Sequence, residues 1–264
     1  MSKTERVVIT IMLTLFALAS VAVLMVFSLP LIDKISSLNT PLSTFPRTLP
    51  LRIISTAVHA LVLLGSGAGI SLFLRKSNYP EFTFFIFGLL SFAGIGILNF
   101  PPVLLLAGYP VPYAQVFLRI FYFFWCLGAV FFFLAGLFPN GIPNLKQHTF
   151  FVIAAAGTLT VILLVPIDTR QMLTSFPYAQ QLSAGPLPLF IRMVSVLGVC
   201  NFIAAGIRAA SRFSLAASLG MALVLAGNEL YFIPHPAAVA AGPLLIFSGT
   251  LLYSTMIYRE YMWS

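Results

Sequence analysis

Apolar runs close to the ~20 residues that a helix needs to cross a bilayer recur along the whole of this 264-residue chain. That pattern leaves little choice of fold: an all-α, polytopic membrane helical bundle. Only 8% of the residues are charged and 60% are hydrophobic, whereas a soluble domain carries about 25% charged residues. Such a chain cannot cover a water-facing surface, and no appended soluble domain is expected. The net charge of +8 invites a nucleic-acid reading. The Lys and Arg residues, however, are scattered at segment ends, where they anchor helices and set orientation. The expected partner is the lipid bilayer, with no nucleic acid. Cys126 and Cys200 both sit inside apolar segments, which excludes a disulfide framework and a CxxC metal site.

Eight apolar runs can be read in order. The first, about 7–29, follows a short polar start with Lys3 and Arg6 and is expected to be an uncleaved anchor helix. A polar connection, 30–52, holds Asp33, Lys34 and several prolines, and is expected to lie over the outer face. The remaining spans fall at about 51–74, 81–100, 114–137, 149–167, 187–209, 213–233 and 237–258. The expected organisation is therefore an N-terminal anchor and outer loop over 1–50, followed by a seven-helix domain over 51–264. Gly65 and Gly69, four apart, are small residues of the kind that let helix backbones approach in lipid. The Phe-rich stretch Phe121-Tyr-Phe-Phe-Trp125 with Phe131-Phe-Phe133 is expected to face lipid.

Charge sets the orientation. The N-terminus and the connections at 75–76, 146–148, 208–212 and Arg259 are basic, while 101–113 and 233–237 hold no Lys or Arg. The positive-inside rule then places both termini in the cytoplasm of a multi-pass protein of the inner (cytoplasmic) membrane.

Within that frame the polar residues of the spans gather toward the outer side. His59, Asn99, Arg119, Arg192, Asn228 and Glu229 all fall in the outer halves of their helices, counted at about 1.5 Å per residue. Glu229 stands out as the acid embedded in an apolar segment. A charged residue in a span costs roughly 2.5–3.5 kcal/mol at the bilayer centre, and it usually faces the bundle interior with a partner. Glu229 is therefore expected to pair with Arg119 or Arg192 around an outward-facing cavity, leaving one arginine for an anionic ligand. The competing reading is an interhelical clamp with snorkelling arginines, with His59, Asn99 and Asn201 as packing hydrogen-bonders. No span carries a lysine suited to a retinal Schiff base. Paired histidines with haem or zinc spacing, a P-loop, GxSxG and HExxH are all missing from the sequence. The expectation is a non-enzyme with no metal and no cofactor.

Three stretches carry a family resemblance: Gly227-Asn-Glu-Leu-Tyr231, then Pro234-His-Pro236, then Gly242-Pro-Leu-Leu-Ile-Phe with a helix ending Ile257-Tyr-Arg-Glu. Together they resemble the last two helices of bacterial seven-transmembrane sensor modules with diverse intracellular signalling outputs. In those modules an Asn-Asp pair precedes a short turn; Glu229 stands here in place of the Asp. Leu74-Arg-Lys-Ser-Asn-Tyr-Pro-Glu-Phe-Thr-Phe-Phe is similar to their turn between the first two helices, and Phe117-Leu-Arg119 through Leu137-Phe-Pro139 to their third helix. The likeness covers roughly 51–261. It departs from the family in carrying no kinase, cyclase or phosphatase region and no large extracellular domain.

The resemblance implies a receptor-like sensor that binds a small molecule or peptide on its outer side and signals through a separate cytoplasmic protein. The rival expectation is a transporter or a non-catalytic subunit of a membrane complex. A membrane lipid enzyme is disfavoured by the lack of an acid-rich cytoplasmic loop.

Overall fold

The structure, a computed structural model, describes residues 45–73, 79–101, 104, 109–140, 147–164, 186–233 and 235–263, together with Val7, Ile11 and Leu15. Among the described residues it is all-helical, with seven helices: α1 Phe45–Phe73, α2 Pro80–Ala93, α3 Val111–Leu137, α4 Gln147–Leu164, α5 Pro186–Arg208, α6 Arg212–Leu230 and α7 Pro236–Trp263. A 3-10 stretch, Gly94–Asn99, continues α2. The expected anchor run lies outside the described residues apart from Val7, Ile11 and Leu15, which are helical with exposed side chains. Five helical stretches are long and apolar enough to cross a membrane: Pro80–Asn99, Val111–Leu137, Pro186–Arg208, Arg212–Leu230 and Pro236–Glu260. Ile54–Ile70 and Thr149–Leu164 are shorter apolar helices. This is the signature of a multi-pass membrane protein.

Helix ends follow local chemistry. Pro80 opens α2 and Pro112 is the second residue of α3, because a proline in the first turn gives up an N–H that has no helical partner there. The same tolerance lets α1 begin at Phe45 with Pro46 as its second residue, earlier than the expected start near residue 51. Ser211 caps α6, its side chain accepting from the Ser214 amide. Ala210 before it takes φ 51°, the left-handed turn that lets α5 reverse into α6 with so few residues.

Helix α1 packs on α2 and α7, α2 on α3, α3 on α4 and α5, α5 on α6, and α6 on α7. Every residue from Glu81 to Phe100 is buried, so α2 and its 3-10 extension form the centre of the bundle. Phe85 stacks on Tyr253 of α7 at 3.8 Å between ring centroids. Phe92 stacks on Phe132 of α3 at 5.2 Å, and Phe87 meets Phe151 of α4 at 5.5 Å.

One expectation about faces is overturned here. The Phe-rich face of α3 is core: Phe121, Phe124, Trp125, Phe131 and Phe132 are buried. Lipid tails are as apolar as phenylalanine, so in a membrane packing rather than water avoidance decides which face turns inward. Gly65 and Gly69 are exposed, and among the described residues a Cβ built at either meets nothing within 4 Å, so this face of α1 is open. Close backbone approach occurs at other glycines. A Cβ at Gly220 would lie 2.7 Å from the Tyr253 amide nitrogen and 2.8 Å from the Gly249 carbonyl oxygen. One at Gly227 would lie 2.6 Å from the Gly242 carbonyl oxygen. Helices α6 and α7 are thus seated backbone to backbone along their length, and Gly136 and Gly198 do the same for α3 and α5.

Gly220→Ala should lower stability by about 1–3 kcal/mol, since the atoms it strikes are backbone and cannot rotate away. Gly65→Ala should change stability by under about 0.5 kcal/mol. Thermal unfolding of the two variants in detergent measures the difference.

Candidate functional site

Two pairs of side chains at helical i, i+3 spacing face each other across α1 and α6. His59 Nε2–H donates to Asn228 Oδ1 at 3.2 Å. Thr56 Oγ1 and Tyr231 Oη share a hydrogen bond at 3.0 Å. The His59 ring stacks on Tyr231 with centroids 4.7 Å apart. Because the helices are antiparallel, residue numbers rise on one as they fall on the other, and both pairs meet at one level.

The fifth member comes from the 3-10 stretch. Asn99 Nδ2 donates to Thr56 Oγ1 at 2.7 Å and to Tyr231 Oη at 2.8 Å, and lies 3.4 Å from the Gly96 carbonyl oxygen. Its position depends on the tighter winding of Gly94–Asn99, since 3-10 geometry turns each residue by more than an α-helix does. Two glycines make that path possible. A Cβ at Gly94 would lie 2.8 Å from the Phe124 ring, and one at Gly96 would lie 2.6 Å from Thr56 Cγ2. Thr56, His59, Asn99, Asn228 and Tyr231 are all buried, and these hydrogen bonds join them into one network.

An ion pair adjoins this network. Arg192 of α5 donates to Glu229 Oε2 through Nε at 2.9 Å and through Nη2 at 2.7 Å. Both bonds go to one carboxylate oxygen, leaving Oε1 outside the pair. The Arg192 guanidinium carbon sits 5.6 Å from the centre of the Trp125 ring, within the range of a cation–π contact. The side chains remain 32% and 38% exposed. Glu229 occupies the last turn of α6, where the helix dipole disfavours a negative charge. Arg192 offsets both that dipole and the carboxylate.

Arg119 is placed elsewhere. Its Nη1 donates to the carbonyl oxygens of Ile162 at 2.6 Å and Leu163 at 3.3 Å, in the last turn of α4. A cation there satisfies carbonyls that have no helical partner. Of the two arginines expected as partners for Glu229, the structure pairs Arg192 and uses Arg119 to cap α4. His59, Asn99, Asn228, Glu229 and Arg192 are brought together. Thr56, Tyr231 and Trp125 complete the site and were not anticipated. The signal for Thr56 and Tyr231 was the i, i+3 spacing to His59 and Asn228.

The opposite end of the bundle corrects a further expectation. Glu229 is not the only embedded acid: Glu81 is 2% exposed. It lies in the first turn of α2, where free amides and the helix dipole favour a carboxylate. Tyr253 donates to its carbonyl oxygen at 3.3 Å. Nearby, Ser211 and Ser214 donate to Glu260 Oε2 at 2.5 and 3.4 Å, fastening the end of α7 to the α5–α6 turn. Among the described residues no group of three or more His, Cys, Asp or Glu side chains could hold a metal ion.

No protein-family model, curated protein or solved structure matches the chain. The fold and the site therefore define it as a multi-pass helical membrane protein with a polar cluster at one end, and the geometry carries any functional reading.

In a double-mutant cycle, Arg192→Gln and Glu229→Gln should couple by about 0.5–1 kcal/mol, the scale of a partly exposed pair. Arg119→Gln and Glu229→Gln should add. Unfolding midpoints of the single and double variants in detergent check both outcomes.

Proposed function

We propose that the chain is a receptor-like membrane sensor. The end carrying Arg192 and Glu229 would take a charged small molecule or peptide, and a separate cytoplasmic protein would receive the signal. The observation that supports this most is the position of the pair. Its charges are about a third exposed, yet Glu229 is the chain neighbour of Asn228, which is locked into the buried network joining α1, α6 and the 3-10 stretch. A ligand that exchanges for one member of the pair pulls on that network. Helix α6 is seated on α7 through glycine contacts, so a shift at its end is passed to α7. In this reading the ligand side is the outer side, as the charge of the short connections implies, and the resemblance to seven-helix sensor modules fits the same arrangement.

The middle of the bundle argues against a permanent polar route between the two ends. Phe85, Phe92, Phe132 and Phe202 fill it and are fully buried. A second reading, a non-catalytic subunit of a membrane complex, is favoured by the open face of α1 at Gly65 and Gly69, which has the close-approach chemistry of a helix–helix interface.

The test is a thermal-shift screen of the detergent-purified protein against amino acids, short peptides and small carboxylates. A ligand present at about 100 Kd should add about 2.7 kcal/mol to stability. Glu229→Gln should abolish that shift while leaving insertion and helix content intact. Loss of folding in Glu229→Gln would instead make the pair an interhelical clamp, and substrate flux in proteoliposomes would make the protein a transporter. The tie at the far end gives a second expectation. Ser211→Ala with Ser214→Ala should free Glu260 and raise amide hydrogen exchange near residues 255–263.

A further inference from the structure

Among the described residues, the exposed charges at the end of the bundle opposite the ion pair are of one sign. Arg208 closes α5, Arg212 opens α6 and Arg259 lies near the end of α7, and all three are exposed. The hydrogen bonds from Ser211 and Ser214 to Glu260 bring Arg259, the neighbour of Glu260, onto the turn that carries Arg208 and Arg212. Among the described residues, two acids of this end are engaged in the bundle, one buried and one partly buried. Glu81 is buried, and Glu260 is taken up by the two serines. Among the described residues, the charged groups classed as exposed at this end are guanidinium.

Apolar side chains border these cations. Ile207 is 69% exposed and Met262 65%, with Leu215 and Tyr258 also exposed. Ile207, Leu215 and Tyr258 belong to helical stretches long and apolar enough to cross a membrane. The Arg212 guanidinium carbon lies 5.2 Å from the centre of the Phe213 ring. Guanidinium donors set at the margin of apolar helix faces match a phosphodiester attached to acyl chains: the phosphate accepts charge-assisted hydrogen bonds, and the chains lie along the apolar faces.

We propose that the α5–α6 turn and the end of α7 form a binding site for the headgroup of an anionic phospholipid. The site is separate from the Arg192–Glu229 cluster and does not depend on the sensor reading. An acidic protein segment could satisfy the same charges, but it would not use the apolar residues that flank them, and lipid is the occupant that uses both.

The experiment measures binding of phosphatidylglycerol and of phosphatidylcholine to the detergent-purified full chain by native mass spectrometry. The expected result is preferential retention of phosphatidylglycerol. That preference should fall about five-fold for each arginine replaced in R208Q, R212Q and R259Q, and it should weaken with added salt. The lysine variants R208K, R212K and R259K, which keep the charge, should retain most of it and separate lost charge from lost folding. Equal retention of the two lipids by the unmodified chain overturns the proposal and redirects this surface to an acidic protein. Full preference in the triple glutamine variant also overturns it, by placing the anionic lipid elsewhere.

Discussion

Five polar side chains are buried where neither water nor lipid can satisfy them, and the bundle is arranged so that they hydrogen-bond to one another. Thr56, His59, Asn99, Asn228 and Tyr231 come from α1, α6, the 3-10 stretch after α2 and the residue capping α6. An orphaned polar group at such a depth costs several kcal/mol, so each helix must hold its rotation and its depth relative to the other two. Seating is fixed at one end of the molecule by hydrogen bonds that have direction, which apolar packing lacks.

Glycine contacts carry that registration away from the network. Helices α6 and α7 meet at Gly220, Gly227, Gly242 and Gly249, and α3 and α5 at Gly136 and Gly198. Without a hydrophobic drive between helices in lipid, dispersion over such close contacts is a main source of association. The same contacts make α6 and α7 move as a unit. The polar network at one end of α6 and the serine–Glu260 tie at the other are therefore mechanically linked through packed backbone. This is the physical basis of the sensor reading.

The two ends of the bundle handle charge differently. At one end an acid in the last turn of a helix, where its own dipole opposes it, is held by an arginine and left partly exposed. At the other, Glu81 lies in the first turn of α2, where the dipole favours it, and it is buried. Arg119 on the carbonyls at the end of α4 obeys the same rule. The Arg192–Glu229 pair, about a third exposed, is the one charged arrangement in this set that helix electrostatics alone does not settle.

Among the described residues, seven helices near the expected limits were legible from apolar run length, prolines and basic turns, although α1 begins earlier and only five stretches are long and apolar enough to cross a membrane. A span must be about 20 residues and its ends must be polar wherever it sits in a bundle. The gathering of His59, Asn99, Arg192, Asn228 and Glu229 at one end was legible too, because depth is counted along each helix separately. Rotation about the helix axis was not. Phe121 and Phe132 are as comfortable in lipid as in a core, and only contact with Phe232 beyond α6 and with Phe85 and Phe92 of α2 turned them inward. The choice between Arg119 and Arg192 for Glu229, the burial of Glu81 and the idleness of Gly65 and Gly69 in this bundle have the same cause. Each depends on which helix stands beside which, and a hydropathy pattern carries no azimuth in a solvent as apolar as the protein itself.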